Sequence, residues 1–513
     1  MGVGEIVQKL GQAEKEARLA GGTAKIEEQH KRGKLTARER IDLLFDEGTF
    51  VELGMFARHD CTDFGMEKKR PWGDAVVTGY GNVNGRRVFA YSQDFTVLGG
   101  TVGATHGAKI VQIMKMAVQA KAPVVGLVDT GGGRIQEGFG TYTLLFNEHV
   151  NMSGVVPQLS CILGSCAGGG CYSPALTDFI FMVEGISQMF IAGPRVIKEA
   201  TGEEISNEEL GGPKPQSQIA GNCDYVAKDE KECFEQLKRL LSYLPSSWCE
   251  KPPVIDTGDD PNRSCEKLMK IIPDEPNKYF DMKQVIREIV DNGEFFEVKA
   301  NYARNMITCF ARIGGYPVGI VANQPMVFAG SIDCDASDKA ARFYRFCDCF
   351  NIPIVTLVDT PGYLPGVKEE YKGIIRHGAK MLYGYIEATV PKIVLVVRKA
   401  YGGSGRAMGC KTMGADLVLA LPISEMAVMG AEAAVEILYK KELDAAEDKQ
   451  AVKMQKIEEF KEKFSSPYYH AGKMTFDVVI RPQETRSHIF NFLQLLWDKT
   501  VDRIPRKHGN IPL

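Results

Sequence analysis

The 513-residue chain has no apolar run long enough to cross a membrane. Stretches such as Val124–Val128 and Ile393–Val397 are strand-sized, well short of the ~18 residues a spanning helix needs. It also lacks a bias in charge, since 62 Lys+Arg against 65 Asp+Glu leave −3; nucleic-acid binding gets no electrostatic support from that balance. No pair among the 13 cysteines has C-x-x-C spacing: Cys161, Cys166 and Cys171 stand five apart, and Cys347 and Cys349 two apart. That argues against a zinc ribbon or a thioredoxin-like centre and predicts free thiols in a reducing cytosol. No G-x-x-x-x-G-K-[ST] phosphate loop is present. The opening MGVGEIVQKLGQAEKEARLAGG reads as a charged helix without the apolar centre of a signal peptide. A soluble, cytoplasmic protein is the expectation. With 44% hydrophobic and 25% charged residues, the chain has globular composition and length for two or three domains.

Glycine is what the chain has in excess: 53 residues, about a tenth, against roughly 7% on average. Many of them fall in an internal repeat. Gly85–Thr130 aligns with Gly315–Thr360, matching Gly85 to Gly315, Gly100 to Gly330, Lys109 to Lys339, Pro123 to Pro353 and Asp129 to Asp359, always 230 residues on. Further along, Val156-Pro157 matches Val390-Pro391 and Gly168-Gly169 matches Gly402-Gly403, both 234 residues on. Upstream, DEGTFVE from Asp46 resembles DNGEFFE from Asp291. The chain therefore reads as two copies of one domain of about 200 residues, by the logic that applies to shorter repeats. Short β-branched runs alternate with helical stretches, which indicates an α/β fold. Lys251–Met282, rich in Pro, Asp and Asn, reads as a linker with a short helix, dividing the chain into 1–255 and 256–513. The first ~45 residues and Glu432–Phe464 read as helical packing arms.

Two pairs of loops carry the candidate chemistry. Cys166-Ala167-Gly168-Gly169-Gly170 follows the apolar run Leu159–Leu163, and Ala400-Tyr401-Gly402-Gly403-Ser404 follows Ile393–Val397. A strand running into consecutive glycines is either a tight turn or a set of unobstructed backbone N–H groups able to hold an oxyanion. Its occurrence in both copies favours two facing sites and a reaction between two carbonyl compounds. The second pair, Asp129-Thr130-Gly131-Gly132-Gly133-Arg134 and Asp359-Thr360-Pro361-Gly362-Tyr363, sits at strand ends, where α/β proteins build sites. These loops are either pocket walls or plain strand-to-helix turns. Cys166 has no His or Asn placed to activate it and reads as a packing residue. His106 and His377 follow no metal-ligand spacing and read as helix-surface or cap residues.

With those motifs in hand, the chain resembles the carboxyltransferase subunits of biotin-dependent acyl-CoA carboxylases, together with the alpha subunits of methylmalonyl-CoA decarboxylase and transcarboxylase. The carrying stretches run in order along nearly the whole chain: GKLTARERI (33–41), SQDFTVLGG (92–100), DTGGGRIQEG (129–138), SGVVPQ (153–158), CAGGGCYSPALTDF (166–179), ANQP (322–325), DTPGYLPG (359–366), GIIRHGAKMLY (373–383), RKAYGG (398–403), AVMGAEAAVEI (427–437) and KHGNIPL (507–513). The resemblance implies two tandem crotonase-like domains, the first binding acyl-CoA and the second biotin, with the reaction where the first domain of one subunit meets the second of another, often in a hexamer. It implies that backbone N–H groups of Gly169 and Gly170 hold the thioester oxygen as the α-carbon becomes an enolate. Those of Gly403 and Ser404 would hold the biotin ureido oxygen. Gly132, Gly133, Arg134, Gly362, Tyr363, Tyr401, Gly405 and Arg406 would line the substrate site. Carboxybiotin would arrive on a partner biotin carboxyl carrier protein, alongside a biotin carboxylase or, if the transfer runs in reverse, the membrane subunits of a sodium-pumping decarboxylase. The A/V-M-K-M-like Ile113-Met114-Lys115-Met116 lies in a helical pattern, whereas biotin acceptor lysines sit at hairpin tips, so Lys115 is not read as an acceptor.

Three stretches depart from the family pattern. The biotin-side glycines are followed by Ser404-Gly405-Arg406, where the family has Ala/Ser-Tyr and then Asp, Leu or similar. The usual A-W-P is Ala420-Leu421-Pro422, and the usual D-S-G-G-A-R is Asp129-Thr130-Gly131-Gly132-Gly133-Arg134. Losing Tyr and Trp while gaining Arg predicts a wider, more positive pocket. Arg406 then pairs with a distal carboxylate on an unusual acyl group, or faces solvent or a CoA phosphate. Rival readings are an inactive scaffold, against which the two intact loops argue, and a hydratase or isomerase, which would use one copy and acidic side chains.

Overall fold

A computed structural model describes residues 2–138, 140–275 and 278–513. It divides into two compact units, Met1–Glu250 and Lys251–Leu513. The division falls five residues before the one expected from sequence, because Lys251 onwards pairs forward: Ile255 N–H donates to Gly315 O at 3.3 Å and Arg312 to Pro253 O at 2.7 Å. The short helix expected in the linker is present, and the described residues around it pack. A helix at Leu268–Ile271 and the side chains of Cys265, Leu268, Phe280 and Met282 are buried in the core of the second unit; Pro276 and Asn277 lie outside the described residues.

The first unit is built on β1 (Val51–Leu53), β2 (Val76–Val83), β3 (Arg86–Gln93), β4 (Val124–Thr130), β5 (Gln158–Ala167), β6 (Phe179–Val183), β7 (Gln188–Phe190) and β8 (Tyr225–Ala227). The second repeats them as β9 (Phe295–Val298), β10 (Met306–Ile313), β11 (Tyr316–Asn323), β12 (Ile354–Thr360), β13 (Lys392–Tyr401), β14 (Leu417–Ala420), β15 (Glu425–Ala427) and β16 (Val478–Val479). Each sheet runs in chain order, antiparallel over its first three strands and parallel beyond them, with β7 pairing β5 and β15 pairing β13 off the main path.

Local chemistry explains the repeated geometry. The hairpin β2–β3 turns on Asn84-Gly85 (φ 49° and 76°), and β10–β11 turns on Gly314-Gly315 (φ 59° and 82°); two positive φ values give the turn whose twist matches paired strands. β4 and β12 are buried along their whole length, as parallel strands covered on both faces must be. The helices Ala104–Ala120 and Cys334–Cys349 carry the matched lysines in their second turn. Lys109 reaches back to the carbonyls of Gly73 (2.8 Å) and Val76 (2.5 Å), and Lys339 to those of Lys299 (2.9 Å), Tyr302 (2.8 Å) and Met306 (2.7 Å). These ammonium groups satisfy carbonyls that the entering chain would otherwise leave buried and unpaired. No helix among the described residues is long and apolar enough to cross a membrane, and the thirteen cysteines form no disulfide.

Candidate active site

In each unit one central strand changes partner as it nears its C-terminal end. β5 pairs β6 over Leu159–Ile162, then β7 over Ser165–Ala167; β13 pairs β14 over Ile393–Val396, then β15 over Lys399–Tyr401. The preceding strand slips register at the same place, so that Thr130 meets Cys166 and Thr360 meets Ala400. The fork delivers the chain into a left-handed glycine, Gly168 (φ 64°) or Gly402 (φ 59°), and then into a helical turn. A β-carbon is strained at that φ, hence glycine. Next comes an exposed glycine, Gly169 or Gly403, then a buried residue, Gly170 or Ser404. First-turn N–H groups have no intrahelical partner, and neither exposed glycine is crowded. A β-carbon on Gly169 would meet nothing within 4 Å, and one on Gly403 would meet only the Tyr363 ring edge at 3.7 Å.

The second pair of loops converges on the first. A β-carbon on Gly132 (φ 102°) would lie 3.4 Å from Ala167 O, and Tyr363 packs beside Gly403. Both loops are stitched to a neighbouring segment: Gly132 O accepts from Val102 N–H at 2.9 Å and bridges Val102 to Gly133, while Gly362 O accepts from Ile332 N–H at 3.1 Å and bridges Ile332 to Tyr363. The Gly132 and Gly362 N–H groups are occupied by the hydroxyls of Thr130 and Thr360. These residues therefore form walls, and the free donors belong to the glycine-rich loops after β5 and β13.

Two expected ligand contacts and one expected widening of the pocket are corrected. Arg134 is buried, and its guanidinium is committed to Asp74 (2.6 Å), Glu137 (2.7 Å) and Thr101 O (2.8 Å), so it fastens the loop instead of facing a ligand. Gly405 faces inward, where a β-carbon would lie 2.5 Å from the Ala400 carbonyl carbon; close packing of helix on strand requires it, and it opens no pocket. Leu421 is fully buried in the core, so the lost Trp does not widen the site either. Arg406 is exposed and lines a cavity. Tyr401 turns its hydroxyl to Glu425 (2.5 Å). Burial lifts the Tyr363 hydroxyl to about 12, and it has no hydrogen-bond partner among the described residues.

Other readings resolve simply. Cys166 is buried, and its interaction with the Cys171 thiol together with burial pushes its pKa well up, so it is no nucleophile. Lys115 lies mid-helix on an exposed face, 3.6 Å from Glu148. His106 is fully buried against Asp74 O (3.0 Å), not on a surface, and His377 pairs with Asp338 at 2.8 Å. No group of three or more His, Cys, Asp or Glu able to hold a metal occurs among the described residues.

Sequence reasoning missed two supports. Tyr142, from the helix Thr141–Met152, places its hydroxyl 2.8 Å from where a β-carbon on Gly170 would be; nothing in the local pattern marks it. Asp129, at the end of β4, accepts from Lys34 (2.8 Å), Arg40 (3.0 Å) and Gln29 (3.0 Å), all from the N-terminal arm, and Arg40 also binds Glu230 at 2.7 Å. Burial opposes the Arg40 charge, but Asp129 and Glu230 outweigh it and hold its pKa above the ordinary value. In the second unit Asp359 Oδ2 is held by Arg398 at 2.8 Å and Oδ1 by the Lys399 N–H at 3.1 Å.

The carboxyl transferase domain model matches residues 28–511. The chain is 52% identical over 514 residues to methylmalonyl-CoA decarboxylase subunit alpha of Veillonella parvula, covering 100% of this chain and 99% of that one. It is 50% identical over 513 residues to the propionyl-CoA carboxylase beta chain of Saccharopolyspora erythraea, covering 97% and 94%. The crystal structure of the transcarboxylase 12S hexamer, with methylmalonyl-coenzyme A and methylmalonic acid bound, superposes with TM-score 0.97 at 48% identity over 99% of this chain and 98% of that one. Two matched sheets, each ending in a forked strand and an uncrowded glycine turn, agree with these similarities: the chain belongs to the carboxyl transferase family, the acyl-CoA carboxyltransferases of biotin-dependent enzymes.

Proposed function

We propose that the chain moves a carboxyl group between biotin on a separate carrier protein and the α-carbon of an acyl-CoA, with one glycine turn serving each reactant. The observation that carries this reading is the matched pair of turns, alike in φ and in the order exposed then buried, yet preceding different side chains. A thioester whose α-carbon loses a proton or a carboxyl group places negative charge on its oxygen. The Gly169 and Gly170 N–H groups would meet that charge, at about 3–4 kcal/mol per donor. The ureido oxygen of biotin is likewise an acceptor, and the open face at Gly403, with Ser404 N–H beside it, fits it. Neither Gly168–Gly170 nor Gly402–Ser404 carries a group that titrates near neutrality, so the turns stabilise charge and transfer no proton. Carboxybiotin, when bound, supplies the carboxyl group and, after giving it up, the base.

Carboxylation and decarboxylation use the same two half-sites, and relatives of both kinds are about equally similar. Direction then follows from the partner: a biotin carboxylase or membrane decarboxylase subunits. The hexamer of the transcarboxylase 12S relative supports a homo-oligomer here, and thirteen cysteines with no disulfide among them support a cytoplasmic setting. Exchange of labelled carboxylate between carboxybiotin and acyl-CoA is the test. Exchange is expected; its absence with every acyl-CoA tried contradicts the reading.

A further inference from the structure

Within the second unit a cavity of about 500 Å³ opens beside Arg406. Its walls are apolar, contributed chiefly by Val428, Met429, Ile437, Leu438, Phe460 and Phe464. Arg406 is the lining residue that carries a fixed charge. His470 also lines it; burial, helped by repulsion from Arg406, lowers its pKa against the opposing hydrogen bond between Nε2 and Met426 O at 2.6 Å. The Arg406 side chain forms no ion pair or hydrogen bond among the described residues, unlike Arg134 and Arg398 at comparable strand ends. An unpaired guanidinium at the mouth of an apolar cavity can bind a planar anion through two N–H groups.

Position indicates which part of a ligand comes here. Gly403 and Arg406 are both exposed and lie one helical turn apart, about 4.5 Å along the axis. On the reading proposed above, Gly403 holds the biotin ureido oxygen, so the carboxyl group leaves biotin beside this turn and the acyl α-carbon must come within bonding distance of that carboxyl carbon. What continues from the α-carbon is the acyl chain; the CoA phosphates lie at the far end of the pantetheine arm. The cavity is also within the range that accommodates whole small ligands, larger than a propionyl or methylmalonyl group requires.

Resting on that carboxyl-transfer reading, we infer that the cavity takes the distal part of the acyl group. The substrate is an ω-carboxyacyl-CoA whose methylenes lie on the apolar wall and whose terminal carboxylate pairs with Arg406.

The test compares glutaryl- and adipyl-CoA with the chain-matched neutral pentanoyl- and hexanoyl-CoA in carboxylate exchange, using the intact chain and Arg406→Gln. The wild type is expected to favour the carboxyl-ended substrates by about tenfold or more in kcat/KM, as a charge-assisted bidentate pair allows. Arg406→Gln is expected to abolish most of that preference. Equal use of both classes by the wild type, or an unchanged ratio in the variant, overturns the inference while leaving carboxyl transfer intact. Failure of exchange with every acyl-CoA overturns the carboxyl-transfer reading instead. Calorimetric titration with an unreactive ω-carboxyalkyl-CoA thioether then decides the cavity: binding that Arg406→Gln weakens supports it, and binding that is absent or indifferent to the substitution overturns it.

Discussion

The two units agree in backbone and differ in the side chains that brace it. Both have the hairpin with two left-handed residues, the strand that changes partner, the left-handed glycine before the turn and the buried lysine reaching back to carbonyls. They part over the aspartate at the end of the fourth strand. Asp129 is held by three side chains of the N-terminal arm, whereas Asp359 takes both Oδ2 bonds from Arg398, on the neighbouring strand. They part again beside the turn, where Tyr142 comes from a helix and Tyr363 from the loop after β12. Divergence in everything that props the turns, with the turns themselves unchanged, indicates that backbone N–H geometry is the retained feature. Each unit then keeps its own means of recognising a different reactant.

The largest expected effect tests the difference in bracing. Arg398→Met leaves the buried Asp359 without those two bonds and is expected to cost about 3–5 kcal/mol, as when one partner of a buried ion pair is removed. Lys34→Met leaves Asp129 with Arg40 and Gln29, and is expected to cost less, about 1–3 kcal/mol. Denaturant unfolding of the two variants measures both; equal losses would break the contrast between redundant and single bracing. A smaller effect separates neighbouring glycines. Gly168→Ala and Gly402→Ala force a β-carbon into left-handed backbone, at about 1–2 kcal/mol, and at Gly402 it would also lie 3.2 Å from Val428 O. Gly169→Ala and Gly403→Ala meet open space and should change stability by less than about 0.5 kcal/mol.

A further effect, on stability alone, concerns pH. Burial pushes Lys109 down to about 8 and Lys339 to about 7, from an ordinary 10.5. Between those values and 10.5 the unfolded chain binds more protons than the folded one, so stability rises with pH across that window. Between pH 7 and 9 the gain from Lys339 should be about 2 kcal/mol, and Lys339→Met should remove it. Unfolding midpoints of the two proteins at both pH values give the answer; parallel changes would contradict the assignment.

Much of this was legible in the residues. The duplication, the alternation of strand and helix, and the two glycine turns follow from the spacing of Gly, Asp and the β-branched runs, because backbone geometry is written locally. What sequence could not show was direction: Arg134 and Gly405 sit in the right loops but point inward, one to Asp74 and Glu137, the other to the backbone of Ala400. Side-chain orientation depends on packing partners far along the chain. The same distance hides the Arg40–Asp129–Glu230 cluster, whose members are 89 and 190 residues apart. The segment around Leu268 was legible as a short helix but not as packed: its composition is loop-like, yet its few apolar residues are spaced to reach the core.

The central claim is that the two glycine turns serve different reactants, and steady-state exchange kinetics of Gly169→Ala and Gly403→Ala test it directly. Each substitution keeps its fold and places a β-carbon where a ligand oxygen would approach, at about 10²-fold in kcat/KM for a displacement of that size. The account predicts that Gly169→Ala impairs the dependence on acyl-CoA and spares that on biotin, with Gly403→Ala doing the reverse. Both variants impairing the same reactant, or neither impairing any, would contradict it.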